Sequence, residues 1–363
     1  MYDAAIIGLG PAGATLARLL SSELKVIAID KKHPSGTGFQ KPCGGLLAPD
    51  AQKALARFDI TLPKEVLVDP QIFSVRTLDL KTRLVRHYQR FYMNLDRHRF
   101  DLWLQSLIPS HVEVCTDSVC TVIERRKEGF HIRYKSGTEE RTAEARLLIG
   151  ADGANSIVRR AFYPKKKIRQ YVAIQQWFED TNAQPFYSCV FDPESTDCYS
   201  WTISKDGVFI YGGAFPKQNS RKRFENQKQK LESSGMRFGK PLKTEACMVL
   251  RPRFWRDFCC GENGVFLIGE AAGFISPSSL EGISSALRSA DTLSSVLNSR
   301  VLNPNRIYRK RTFLLRLKIF LKELKCPFMY FPPLRFLVMK SQIGVIDVSQ
   351  ETPASREAPI DKI

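Results

Sequence analysis

The hexapeptide Gly8-Leu9-Gly10-Pro11-Ala12-Gly13 constrains the fold more than any other stretch of this chain. Before it, Asp3-Ala4-Ala5-Ile6-Ile7 is a short apolar run, as in a strand buried on both faces of a parallel sheet. After it, Ala14 to Leu20 has helical composition, and Lys25-Val26-Ile27-Ala28-Ile29 reads as a second strand ending at Asp30. Strand, glycine turn, helix, strand and acid in this order make a βαβ unit that binds a dinucleotide. Gly8 permits the tight turn, Gly10 lets a pyrophosphate approach the backbone, and Gly13 lets helix pack closely on strand. Pro11 and Ala12 complete the turn, and the N-terminus of the helix after it offers phosphate free N–H groups and a partial positive charge. Asp30, followed by Lys31, stands about twenty residues after Gly8, where an acid accepts from a ribose hydroxyl. Such an acid disfavours a 2′-phosphate. FAD and NAD remain.

Composition narrows the class. With 363 residues, 43% hydrophobic and 25% charged, the chain is long enough for two or three domains and is neither collagen-like nor disordered. The absence of a charge-free stretch near ~18 residues argues against a transmembrane helix. Asp3 stands where an export leader would carry bases, and the apolar run ends at Gly8, so no signal peptide is expected. Nine scattered cysteines suit a reducing cytoplasm better than a disulfide framework. The five histidines lack ligand spacing, and no metal site is expected.

Two later segments choose between the cofactors. Arg146-Leu147-Leu148-Ile149-Gly150-Ala151-Asp152-Gly153 is an apolar strand breaking into an acidic turn. Val265-Phe266-Leu267-Ile268-Gly269-Glu270-Ala271-Ala272-Gly273 repeats that form. Together with the glycine turn, these segments resemble the FAD-dependent family that includes aromatic hydroxylases and geranylgeranyl reductases. The resemblance implies FAD, with Asp152 among the residues that bind it, Gly269 and Glu270 at its ribityl and pyrophosphate end, and the Glu270 acid bonding a ribityl hydroxyl. Glu270 stands where the family has Asp, so the carboxylate reaches one methylene further. It also implies that the helix opening at Gly282-Ile283 points its positive end at the flavin ring. Arg97-His98-Arg99-Phe100-Asp101-Leu102-Trp103-Leu104 is similar to a family stretch whose first Arg contacts FAD phosphates. Read alone, Arg97 is equally a partner in a helix-start salt bridge. No second G-x-G-x-x-G follows, so electrons are expected from transiently bound NAD(P)H or from an acidic protein donor.

Lys41-Pro42-Cys43-Gly44-Gly45 resembles the "K-x-C-G-G" of the geranylgeranyl reductases, which implies that Lys41, Cys43, Gly44 and Gly45 lie beside the isoalloxazine. A thiol next to Lys41 would be acidified and could donate a proton; a buried structural cysteine is the simpler alternative. Tyr199-Ser200-Trp201-Thr202-Ile203 alternates, placing Tyr199, Trp201 and Ile203 on one strand face. It partly matches the reductases' "P-x-x-Y-x-W-x-F-P", implying a wall of an isoprenoid pocket, although such a face is as often ordinary core. These segments, with Val172 to Trp177 and Ile268 to Ser276, resemble the bacterial CbrA-type flavoproteins, a subgroup of that family. The expected activity is FAD-dependent reduction of C=C bonds in a hydrophobic isoprenoid, which could carry a phosphate. An FAD monooxygenase of an aromatic or lipid substrate is the alternative, and a non-catalytic flavoprotein binding envelope lipids is another.

The expected architecture is α/β: a Rossmann-like FAD-binding domain over 1–70, 95–160 and 255–300, with an inserted antiparallel substrate sheet over 71–94 and 161–254. A basic amphipathic helical segment over 301–349 and a disordered tail over 350–363 complete it. The net charge of +18 concentrates at Arg159-Arg160 with Lys165 to Arg169, at Lys217 to Lys230, and along Arg306 to Lys325. These clusters suit an anionic membrane surface, a phosphorylated lipid or an acidic electron donor, and the last run is equally a helix packed on its own domain with a solvated basic face. Nucleic acid is not expected, since no recognition motif accompanies the charge. The expected location is the cytoplasm, with peripheral attachment to the inner membrane face as an extension.

Overall fold

The computed structural model describes residues 1–33, 40–180 and 186–348; the tail expected to be disordered lies outside them. The strand Tyr2–Ile7 pairs in parallel with Val26–Ile29 on one side and Glu139–Gly150 on the other. Val112–Cys115 and Val265–Leu267 extend this parallel core outward, while Gly129–Ser136 and Ser118–Arg126 continue it antiparallel. Side chains such as Ile6, Leu148 and Phe266 are fully buried in it, each stabilising the fold by about 1.5–3 kcal/mol. Ile7 stands in register with Ile29 and Gly150, and Gly150 with Leu267. The chain therefore leaves these strands at one edge, delivering Gly8, Asp30, Asp152 and Gly269 to the same place. Ligands bind at such an edge.

A second sheet runs in the order Lys243–Leu250, Gln170–Glu179, Val208–Pro216, Ser200–Lys205, Phe186–Phe191, Ile72–Asp79, Leu84–Asn94, Leu46–Leu47. It departs from the expected antiparallel sheet at one pair: Phe186–Phe191 runs parallel to Ile72–Asp79. These strands are far apart in sequence, so no hairpin turn dictates their direction. Leu46–Leu47, expected with the nucleotide half, joins this sheet through Asn94 and Met93.

The basic run from Arg306 is not one helix. It breaks at Thr312, between the helices Pro304–Arg311 and Phe313–Leu321, where the hydroxyl donates back to Tyr308 O at 2.9 Å. The later helices Cys326–Tyr330 and Pro332–Lys340 return to the second sheet. There Arg335 pairs with Asp79 at 2.9 Å, both side chains buried, and Arg86 donates to Met339 O at 3.0 Å. Arg159 is also not part of a surface cluster: it is buried and donates to Ala271 O at 2.6 Å. Among the described residues no helix is long and apolar enough to cross a membrane.

Candidate active site

A cavity of about 1270 Å³ reaches from the shared edge of the first sheet to the C-terminal helices. At its nucleotide end lie Gly8, Gly10, Pro11, Ala12, Asp30 and Lys31. Gly8 has φ +96°, and a Cβ there would meet Ala151 O at 2.8 Å. Gly13 does not line the cavity; a Cβ on it would lie 1.8 Å from Gly8 O, so its work is to seat the helix Pro11–Leu19 on the turn. Gly10 is different, because a Cβ there would meet nothing within 4 Å. The turn thus presents bare backbone to open space at a helix N-terminus that no side chain caps, as a phosphate site needs. Asp30 already works within the turn: its carboxylate accepts from the Leu9 N–H and, at 2.7 Å, from the Lys32 N–H. It keeps lone pairs for a further donor.

The second and third fingerprints close this end. Asp152 accepts from the Ile157 N–H at 2.6 Å through Oδ2, while its Oδ1 is buried with no partner among the described residues. Burial raises its carboxyl above the usual range, against those hydrogen bonds. Glu270 lines the cavity and spans two elements, binding Lys41 Nζ at 2.5 Å and accepting from the Leu250 N–H at 3.0 Å. Burial would lower the Lys41 ammonium, but the Glu270 carboxylate outweighs it and holds Lys41 above its ordinary value. Gly269 lies off the cavity, packed against Ala12. Arg97 lines the cavity and also makes the helix-start pair, its Nε 2.9 Å from Asp101. The salt-bridge reading of Arg97 is observed, and its place on the cavity wall leaves the phosphate contact as an expectation. Asp101 is buried and shared with Lys32.

Further along, the Cys43-Gly44-Gly45 loop meets the aromatic wall: a Cβ on Gly44 would lie 3.6 Å from the Trp201 ring. The two segments that pointed to one branch of the family are therefore in contact. Gly282 and Ile283 face the same space, Gly282 being the N-cap of the helix Ile283–Asn298. Tyr199 and Trp201 line the cavity with ring centroids 5.9 Å apart. Tyr199 precedes the strand, which starts at Ser200, and its hydroxyl donates to Ser279 O at 2.6 Å. Alternation across that strand is incomplete, since Ser200, Thr202 and Ser204 are buried too.

Several lining residues went unassigned in the sequence. Tyr92 donates to Glu281 Oε1 at 3.1 Å, and its ring sits 6.3 Å from Tyr187. Phe191, Met329, Val338 and Met339 extend the apolar wall outward. Spacing gave no signal for these, because the chain supplies them from widely separated elements. Lys205 does not line the cavity but pins its loop, donating to Gly45 O at 3.2 Å, Leu95 O at 2.6 Å and Asn94 Oδ1 at 2.7 Å. It ends the strand that carries Trp201, which was the available signal. Burial lowers its ammonium to about 8, despite Cys43, Asp96 and Asp206.

That shift has a measurable consequence. Between about pH 8 and 10.4 the unfolded chain still holds a proton that folded Lys205 has released, so stability climbs as pH rises through that window. The climb is up to about 3 kcal/mol. Because buried thiols oppose it in the same window, the climb is read as a difference: in urea unfolding at either end of the window, wild type should gain on Lys205→Met by that amount. Parallel pH profiles would refute it.

An FAD-sized dinucleotide fits these residues: bare backbone at Gly10, an uncapped helix end, and Lys31, Lys41 and Arg97 all border one continuous space. No family model matches the sequence. The chain is 52% identical over 363 residues to the protein CbrA of Escherichia coli O6:H1, covering all of this chain and 99% of that one. Among solved structures it resembles a geranylgeranyl bacteriochlorophyll reductase-like protein from Thermoplasma acidophilum, with TM-score 0.78 and 19% identity over 93% of this chain and 90% of that one. It also resembles a probable FAD-dependent monooxygenase from Pseudomonas aeruginosa, with TM-score 0.68 and 15% identity over 94% and 99%. At such identities the two structures establish the fold: a Rossmann-type nucleotide half joined to a second sheet.

Proposed function

The chain belongs to the CbrA family, and from that premise and the cavity we propose that it is an FAD-dependent oxidoreductase that reduces C=C bonds of a hydrophobic, isoprenoid-type lipid. The observation that carries this reading is the continuity of one cavity, phosphate-binding backbone at one end and a long apolar wall at the other. FAD supplies a hydride when reduced, and a proton completes the addition across the double bond. Gly10 and the N-terminus of the helix Pro11–Leu19 hold the pyrophosphate, and Asp152 and Asp30 take ribityl and ribose hydroxyls. Trp201 and Tyr199, packed beside the Cys43-Gly44-Gly45 loop, form with it one wall of the space for the alkene and exclude water. Burial raises the Tyr199 phenol well above its ordinary value, so it stays neutral and serves as a hydrogen-bond donor rather than a base. The electrons come from NAD(P)H or an acidic protein, and a phosphate on the substrate meets Arg90 or Lys322, both on the cavity wall.

Holoprotein reduced by dithionite under argon is expected to recover its oxidised flavin spectrum when a polyprenyl lipid is added. A spectrum that stays reduced under argon with the lipid present counts against reduction, and a lipid that gains an oxygen atom once air enters would instead support a monooxygenase.

A further inference from the structure

The helical run from Phe313 to Tyr330 carries its apolar residues outward. Leu314, Leu321, Leu324, Phe328 and Phe331 recur at spacings of seven, three, four and three across the helix Phe313–Leu321, the tight turn Lys322–Lys325, the helix Cys326–Tyr330 and the extended residue after it. All five are exposed, Leu314 by 73% and Leu324 by 67%. An amphipathic helix docked on its own domain would bury this stripe. The stripe continues onto a neighbouring turn, where exposed Trp255 lies 5.5 Å from Phe313 and 6.0 Å from Phe320. Beside Trp255 a groove of about 650 Å³ is lined by Lys167, Arg169, Arg253 and Arg256 with Asp257, and of these bases Arg169 is paired with Asp197 and Arg253 with Glu323. Residues 301–348 hold ten Lys and Arg against two acids, and only Arg316 and Arg335 of the ten are buried.

We infer that this face docks on the surface of an anionic phospholipid bilayer. A protein partner of mixed charge would not match it: the apolar stripe needs hydrocarbon, and the bases around it need a dense field of phosphates. Lys325 flanks the stripe, with a stem able to lie along it while its ammonium group reaches the headgroups, whereas Lys318 is paired with Asp50 at 3.1 Å. The bases lining the groove beside Trp255 take further headgroup phosphates. Phe328, Val338 and Ile343 are at once exposed and part of the cavity wall. The mouth of the cavity thus opens on the docked face, giving a membrane lipid a dry route inward. Only that route rests on the function proposed above; the docking itself rests on the surface.

Flotation of the full-length holoprotein with vesicles tests it. The protein is expected to float with phosphatidylcholine–phosphatidylglycerol vesicles, to float poorly with phosphatidylcholine alone, and to be released by high salt. The double variant Leu314→Glu with Leu324→Glu, at exposed positions, is expected to partition about tenfold less or weaker still, with an unchanged circular dichroism spectrum. Turnover of a short, water-soluble prenyl substrate should be the same in both proteins. If such turnover is absent while flotation persists, the reductase reading fails and docking stands. Flotation of the variant equal to wild type, or equal flotation with neutral vesicles, overturns the docking. So does a wild type that ignores vesicles but is a dimer that the variant converts to monomer, since the face would then join two copies.

Discussion

Gly10→Glu is expected to give a folded protein that purifies without flavin, whereas Gly13→Ala should fail to fold well at all. The two glycines lie in one turn, and their surroundings decide the difference. A side chain at position 10 enters open cavity, with nothing within 4 Å of its Cβ. The new carboxylate would sit where the uncapped helix end awaits phosphate, filling the space and repelling a second anion. FAD affinity should fall by about a hundredfold or more, the equivalent of ~3 kcal/mol. A methyl group at position 13 would lie 1.8 Å from Gly8 O, far inside contact distance. Relieving that requires the helix to lift off the strand, at about 3 kcal/mol or more. Flavin absorbance per chain and thermal melts of both variants separate the cases. A flavin-replete Gly10→Glu would show that the cofactor lies elsewhere.

The second large effect concerns the pair that fastens the C-terminal helices. Arg335→Met leaves Asp79 buried beside the cavity with its partner gone, and should cost about 3–5 kcal/mol in urea unfolding. Adding Asp79→Asn removes the stranded charge and should recover part of that loss. The amide can still accept from the Lys81 N–H, now 3.0 Å from Asp79 Oδ1. Because Val338 and Met339 share the helix with Arg335 and line the cavity, the single variant should also admit water to it. A cost below 1 kcal/mol for Arg335→Met would mean that the pair contributes nothing net.

How much of this was legible in the chain differs between the two ends of the cavity. The nucleotide end is written in short consecutive segments, since strand, turn and helix N-terminus are neighbours in sequence. Parallel register then brings the segments at Gly8, Asp152 and Glu270 together without further instruction. The work done by each side chain was less legible. Asp30 spends its carboxylate on the turn's own N–H groups, and Glu270 reaches Lys41 and Leu250, contacts that spacing does not encode. The substrate end was largely hidden. Its outer wall comes from helices that reach the second sheet through Arg335 and Asp79, 256 residues apart. The parallel pairing of Phe186–Phe191 with Ile72–Asp79 was hidden for a similar reason: alternation shows that a strand exists, not which strand lies beside it.

The mass of the product tests the central claim most directly. Dithionite-reduced holoprotein, incubated under argon with a polyprenyl lipid and then extracted, should yield lipid heavier by two hydrogen atoms for each bond saturated. Lipid unchanged under argon, and heavier by one oxygen atom once air is admitted, would contradict it.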